Sequence, residues 1–166
     1  MAAGTDVSGS GASVAGLLEA VPGSESDVSG GDDVIRVPPS CLADLAAAAR
    51  SSGFEMCTDI TAVDYRGIRR TRFELVVNLL SLAHNRRLRI LVAVPEDDPV
   101  VPSLVPVYPG ANFLEREVYD MFGISFTGHP DMTRILMPDD WEGHPLRRDF
   151  GVGAVPVQFK ESHRVV

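Results

Sequence analysis

His129, Asp131 and His144, with Asp139 and Asp140 close by, are the side chains here whose types could do metal or hydrolytic chemistry. Imidazole and carboxylate are proper ligands for zinc and similar ions. Their spacing argues against such a centre, because no pair among His129, Asp131 and His144 stands at the i,i+4 interval by which a helix presents two ligands to one ion. Both histidines precede a proline, at corners where the chain is pushed toward extended conformations. The expectation is therefore that His129 and His144 hydrogen-bond to carbonyls or acids of a folded loop. A stand-alone metal-dependent enzyme using His129, Asp131 and His144 is the alternative from a different class.

The remaining chemistry is sparse. Cys41 and Cys57 are the only cysteines, which excludes a four-thiolate iron–sulfur site and a Cys-x-x-Cys redox pair and predicts two reduced thiols. No glycine-rich phosphate loop, nucleophile elbow or Cys/His pair is present. No catalytic, cofactor-binding or metal-ligating residue is expected in this chain itself.

Net charge is −8 over 166 residues, and six acids at or before Asp33 face no base, so the body of the chain is nearly neutral. That excludes nucleic-acid binding through a basic face, which needs a surplus of Lys and Arg to displace counterions. No apolar run approaches the roughly 18 residues of a membrane span, and the N-terminus has neither a basic n-region nor an apolar h-region. A soluble protein is expected, held at any membrane by partners. Arg66, Arg69, Arg70, Arg72, Arg86, Arg87 and Arg89 gather at two hairpin ends. They are read either as a dock for an acidic neighbour or as charge protecting a solvated sheet edge.

The elements that must position these groups follow from periodicity. Residues 1–32, rich in Gly, Ser and Asp, read as a flexible acidic arm with one short helix near Val14 to Val21. Val34 to Val37 is a strand ended by Pro38-Pro39; Ser40 is placed to cap a helix with Leu42, Leu45, Ala46 and Ala49 on one face, stopped at Ser51-Ser52-Gly53. Strands are predicted over Glu55 to Tyr65, Thr71 to Leu82 and Arg87 to Val94. In the last two, Phe73, Leu75, Val77 and Leu79 alternate inward, as do Leu88, Ile90, Val92 and Val94. Short connections favour antiparallel hairpins. After the Pro-rich stretch Pro95 to Pro109 comes a helix with Asn112 as N-cap, Glu115 completing a capping box and Gly123 closing it. Its apolar face is Leu114, Val118, Met121 and Phe122, and its polar face carries Glu115, Glu117 and an i,i+4 ion pair between Arg116 and Asp120. Arg147 and Arg148 are expected to pair with Asp149. The result is one α+β domain over 33–122, an antiparallel or mixed sheet covered by two helices. An extended irregular docking segment, 123–166, is expected to follow.

That segment has recurring turn chemistry at His129-Pro130, Met137-Pro138-Asp139-Asp140, Glu142-Gly143 and His144-Pro145, with Ile124, Phe126, Ile135, Leu136, Trp141, Leu146 and Phe150 between the corners. No period of two or 3.6 survives there.

The run Glu115, Arg116, Glu117, Asp120, Met121, Phe122, His129, Ile135 and Leu136 resembles the signature of the 30 kDa subunit family of respiratory complex I, the proton-pumping NADH:quinone oxidoreductase. Thr133 stands where that family usually has Arg, Lys or Pro. Pro138 to Trp141, Pro145 to Phe150, Asp59 to Tyr65 and Pro109 to Asn112 are similar to family members as well. The resemblance implies a peripheral-arm subunit at the cytoplasmic face of the membrane, bracing the quinone-reducing module. FMN, iron–sulfur clusters and quinone would sit in other subunits. The C-terminal segment would lie along the hydrogenase-like large subunit (the D subunit), near the B subunit and the ferredoxin-like I subunit. Phe126, Arg134, Trp141, Arg147, Arg148 and Phe150 are the interface candidates. The equivalent subunit of a related membrane-bound hydrogenase or deazaflavin-dependent dehydrogenase is the second reading in this class.

Overall fold

The computed structural model describes residues 14–29 and 32–151. A five-stranded sheet runs in the order β1-β2-β5-β4-β3, from β1 (Glu25–Ser29), β2 (Asp32–Val37), β3 (Met56–Asp64), β4 (Phe73–Ser81) and β5 (Arg86–Val94). β2 lies parallel to β5 and every other pairing is antiparallel, so the sheet is mixed. The alternation read from sequence sets the register: Leu75 pairs with Val92, Val77 with Ile90 and Leu79 with Leu88. All six side chains are buried in one core with Ile35, Leu45 and Ile60.

Helix α2 (Leu42–Ser51) buries Leu42, Leu45, Ala46 and Ala49, the predicted face. Its entry differs from expectation. Pro39–Cys41 forms a 3₁₀ turn, Cys41 takes the N-cap position, and no side chain caps the helix. Proline pre-sets the entry angle, so the turn replaces the Ser40 cap.

Residues 14–29, read as part of a flexible arm with one short helix near Val14 to Val21, form that helix as α1 (Val14–Ala20) and, beyond the expectation, the edge strand β1. Leu17 and Val21 enter the core, and Glu25 to Ser29 pair with Arg36 to Asp32. Two apolar side chains at the right spacing suffice to anchor a polar segment once a strand edge is free to accept it. The rest of the predicted arm lies outside the described residues, as do 152–166 of the docking segment.

A second, two-stranded sheet was not expected from the sequence. β6 (Val100–Pro102), inside the Pro-rich connection, pairs in parallel with β7 (Ser125–Thr127). Phe126, an interface candidate, lies in β7 and is buried in the core. Between these strands runs α3 (Ala111–Phe122), which packs against β3 and leads the chain into the segment beyond Gly123.

Candidate functional site

Helix α3 holds the irregular segment by its main chain. The Arg116 guanidinium donates to the carbonyls of Thr133 (3.1 Å) and Arg134 (2.9 Å). One turn later Asp120, fully buried, accepts the N–H groups of Ile135 (3.1 Å), Leu136 (2.8 Å) and Met137 (2.8 Å) on a single carboxylate oxygen. Its other oxygen takes Arg134, whose second nitrogen reaches the Gly143 carbonyl at 3.1 Å. Burial alone would raise the Asp120 carboxyl; the N–H of Met137, the Arg134 guanidinium and the N–H groups of Leu136 and Ile135 outweigh it and hold the group below the usual carboxylate value. The expected Arg116–Asp120 ion pair is therefore replaced by two clamps on one strand of backbone. Because Thr133 contributes its carbonyl, its departure from the signature leaves this contact unchanged.

The segment also caps the helix. An α-helix leaves its last four carbonyls without intrahelical partners. Here Gly123 N–H serves Tyr119 (2.8 Å), the His144 ring Nδ1 serves Asp120 (3.0 Å), Leu146 N–H serves Met121 (3.0 Å), and Arg147 Nε serves Phe122. Arg134 and Arg147 bring positive charge to the end of the helix that favours it. Gly123 has φ +73°, and a Cβ there would collide with the Arg147 guanidinium and the His144 ring, so a side chain at this C-cap would be strained and would displace both.

Other predicted roles moved. Asn112 lies inside α3, which begins after Gly110 with no side-chain cap. Glu115 forms no capping box and is fully buried, accepting the Ser103 hydroxyl (2.7 Å) and Leu104 N–H (2.6 Å) and so tying the end of β6 to the helix. Burial raises its carboxyl, and the two bonds offset only part of that. Met121 and Phe122 are core, and Glu117 faces solvent.

The histidines serve the loop. Asp131 N–H donates to His129 Nδ1 (3.0 Å), which leaves Nε2 carrying the proton it gives to the Asn112 carbonyl (3.1 Å). With both ring nitrogens engaged, His129 has no lone pair for a metal. Burial lowers the His144 pKa, which favours the neutral imidazole as the form that caps α3. Among the described residues no group of three or more His, Cys, Asp or Glu side chains is placed to hold a metal ion.

A second latch is not foreseen by the sequence reading. Arg72, assigned there to an exposed arginine cluster, is 4% exposed and binds Asp64 through Nη2 (2.9 Å) and Nε (3.1 Å), and also Glu96 and Asp149. Asp64 further accepts Arg148 N–H at 2.9 Å, and Arg66 pairs with Asp149 at 2.8 Å. Arg147 and Arg148 thus do not carry the Asp149 pairing expected of them. A signal for the latch does exist in the sequence: Asp64 falls in the inward phase of β3 with Ile60 and Ala62, where a charge requires a buried partner. Beyond this latch, Trp141 stacks on Phe150 with ring centroids 6.2 Å apart. Ile135, Leu136 and Leu146 point outward, 38%, 55% and 55% exposed.

Residues 35–155 match the family described as respiratory-chain NADH dehydrogenase, 30 Kd subunit. The C subunit of NADH-quinone oxidoreductase from Nocardioides sp. (strain ATCC BAA-499 / JS614) is 55% identical over 107 residues, covering 64% of this chain and 43% of that protein. The chain spans about half the length of the first curated relatives it matches, 43% and 54% of two of them. Among solved structures, a trypsin-resistant fragment of Nqo5 is 37% identical with a TM-score of 0.62, covering 66% of this chain and 89% of the fragment. A chain of the membrane-bound sulfane sulfur reductase, an archaeal respiratory membrane complex, is 28% identical with a TM-score of 0.75, covering 90% and 94%.

Proposed function

Because this chain belongs to the family of respiratory-chain NADH dehydrogenase 30 kDa subunits, we propose that it is a non-catalytic peripheral-arm subunit of a proton-translocating NADH:quinone oxidoreductase. Its role is mechanical: it braces the quinone-reducing module while electrons pass from NADH to quinone. FMN, the iron–sulfur clusters and quinone belong to other subunits in this reading. The partners are the hydrogenase-like large subunit (the D subunit), the B subunit and the ferredoxin-like I subunit, at the cytoplasmic face of the membrane. No described helix is long and apolar enough to cross a membrane, so attachment through partners is the consistent arrangement.

One observation carries this reading. The segment beyond Gly123 commits its backbone hydrogen bonds to its own domain yet turns Ile135, Leu136 and Leu146 outward. A chain ordered in advance with apolar side chains displayed binds with less entropy to lose. The test is Leu136→Asp with Leu146→Asp, followed by co-purification from membranes and circular dichroism of the isolated chain. The variant is expected to fold and to lose its partners; normal recovery of partner subunits would defeat the reading.

A second reading, the equivalent subunit of a related membrane-bound hydrogenase or deazaflavin-dependent dehydrogenase, draws support from the extent of overlap with the sulfane sulfur reductase chain. The electron donor oxidised by the purified native complex separates the two. NADH oxidation coupled to quinone reduction belongs to the first alone.

A further inference from the structure

The outer face of the five-stranded sheet is built in cross-strand rows. Arg87 and Leu80 form one row, and the adjacent row runs Val34, Arg89, Asn78 and Asp59. Between them lies a groove of about 330 Å³. Its far wall is Thr58, which occupies the register shift between Cys57 and Asp59 in β3 and donates its hydroxyl to the Asn78 carbonyl at 3.0 Å. A bulge re-aims a side chain that regular pairing would have placed elsewhere.

The arginines at this groove are not equivalent. Arg86, in the inward phase of β5, lies outside the groove and is held by Asp33 at 2.6 Å. Arg89 Nε donates to the Asn78 side-chain oxygen at 3.2 Å, while its Nη2 lies 3.7 Å from Asp32, too far for a hydrogen bond and open to exchange. Arg87 is exposed and makes no ion pair with a described residue. One guanidinium is thus oriented in advance and the other has no ion pair among the described residues; Arg87 stands directly across from the half-buried Leu80, and Arg89 across from Asn78. With two arginines and one aspartate the groove carries a single net positive charge, which suits a singly charged carboxylate better than a doubly charged phosphate.

We propose that this groove receives a carboxylate side chain from an acidic, apolar-flanked segment of a partner polypeptide, with Arg87 and Arg89 as donors and Leu80 as the apolar contact. The site lies on the sheet face, separate from the clasp on α3, so it gives the chain a second point of attachment. It rests on the assembly reading given above.

The experiment places a photo-reactive amino acid at Leu80 of the full chain and isolates the complex from membranes after irradiation. Adduct peptides are then identified by mass spectrometry. A partner-subunit peptide with Asp or Glu within a few residues of the adduct is expected. Its yield should fall at least about tenfold when Arg87→Glu is added, and be retained with Arg87→Lys. Arg87 is exposed, so the thermal midpoint of the variants should match wild type. Adducts confined to this chain, to lipid or to peptides without acids, or a yield indifferent to Arg87→Glu, would overturn the groove while leaving assembly intact. Failure of the unmodified chain to bring down any partner subunit would instead remove the assembly reading and this site with it.

Discussion

Arg116 and Asp120 stand one turn apart on α3 and ignore each other: Arg116 holds the carbonyls of Thr133 and Arg134, while Asp120 holds the N–H groups of Ile135, Leu136 and Met137. A helical i,i+4 pair of this kind on an exposed surface adds a few tenths of a kcal/mol. Turned onto a passing backbone, the same two residues satisfy five polar main-chain groups that would otherwise need water.

Asp120→Ala should accordingly destabilise the protein by about 2–4 kcal/mol, since it leaves the half-buried Arg134 charge without its carboxylate and strands three N–H groups. Arg116→Ala should cost less, about 1–2 kcal/mol. Urea denaturation of both variants measures the difference. Equal effects would mean the two clamps are equivalent and the Arg134 pair contributes nothing.

Gly123→Ala drives a methyl group into the Arg147 guanidinium and the His144 ring and strains a backbone at φ +73°. The side chains that cap α3 must then move, and a loss of about 2 kcal/mol or more is expected with early proteolysis beyond position 123. Limited proteolysis and thermal denaturation check it; wild-type resistance would show that the cap relaxes freely.

The Arg72 latch should be acid-sensitive. Burial alone would raise the Asp64 carboxyl, but the Arg72 guanidinium and the N–H groups of Arg148 and Arg66 hold it at about 2 against an ordinary 3.8. A depressed folded value stabilises above the unfolded value and is lost as pH falls toward the folded one, so the latch is intact above about pH 4 and opens between about pH 4 and pH 2. Asp149 and Asp120 are also lowered and act in the same direction. Glu115, whose carboxyl is raised by burial, acts oppositely. Trp141, the single tryptophan, stacks beside this latch on Phe150. Its emission should shift in acid before far-UV circular dichroism changes. Coincident transitions would mean that segment and sheet open as one unit.

Leu17→Ala should cost about 2–4 kcal/mol, because this side chain of α1 is only 2% exposed and joins the main core. By contrast Asp33→Ala, which removes a surface pair with Arg86, should change stability by about 0–1 kcal/mol, with the effect fading in salt. Thermal melts of the two variants side by side give the comparison. A silent Leu17→Ala would return residues 14–29 to the status of a dispensable arm.

Local periodicity by itself determined the central sheet and α2. Phe73 to Leu79 and Leu88 to Val94 can bury an apolar face only as paired strands, and Leu42, Leu45, Ala46 and Ala49 only as a helix. The turn chemistry between Thr127 and Pro145 likewise marked an irregular segment, and the order of residues from Glu115 to Leu136 marked the family. Tertiary structure decided where charge and backbone meet. Asp64 and Arg72 are eight residues apart in sequence but meet Asp149 only because the chain folds back after α3. Asp120 is fully buried rather than on a polar face, because the carboxylate finds four donors in a segment with no repeating pattern to announce them. β6 and β7, three residues each, pair across the length of α3 and carry too little periodicity to be seen alone. Burial of a face is written in local spacing, whereas the partners that make buried charge tolerable come from distant parts of the chain.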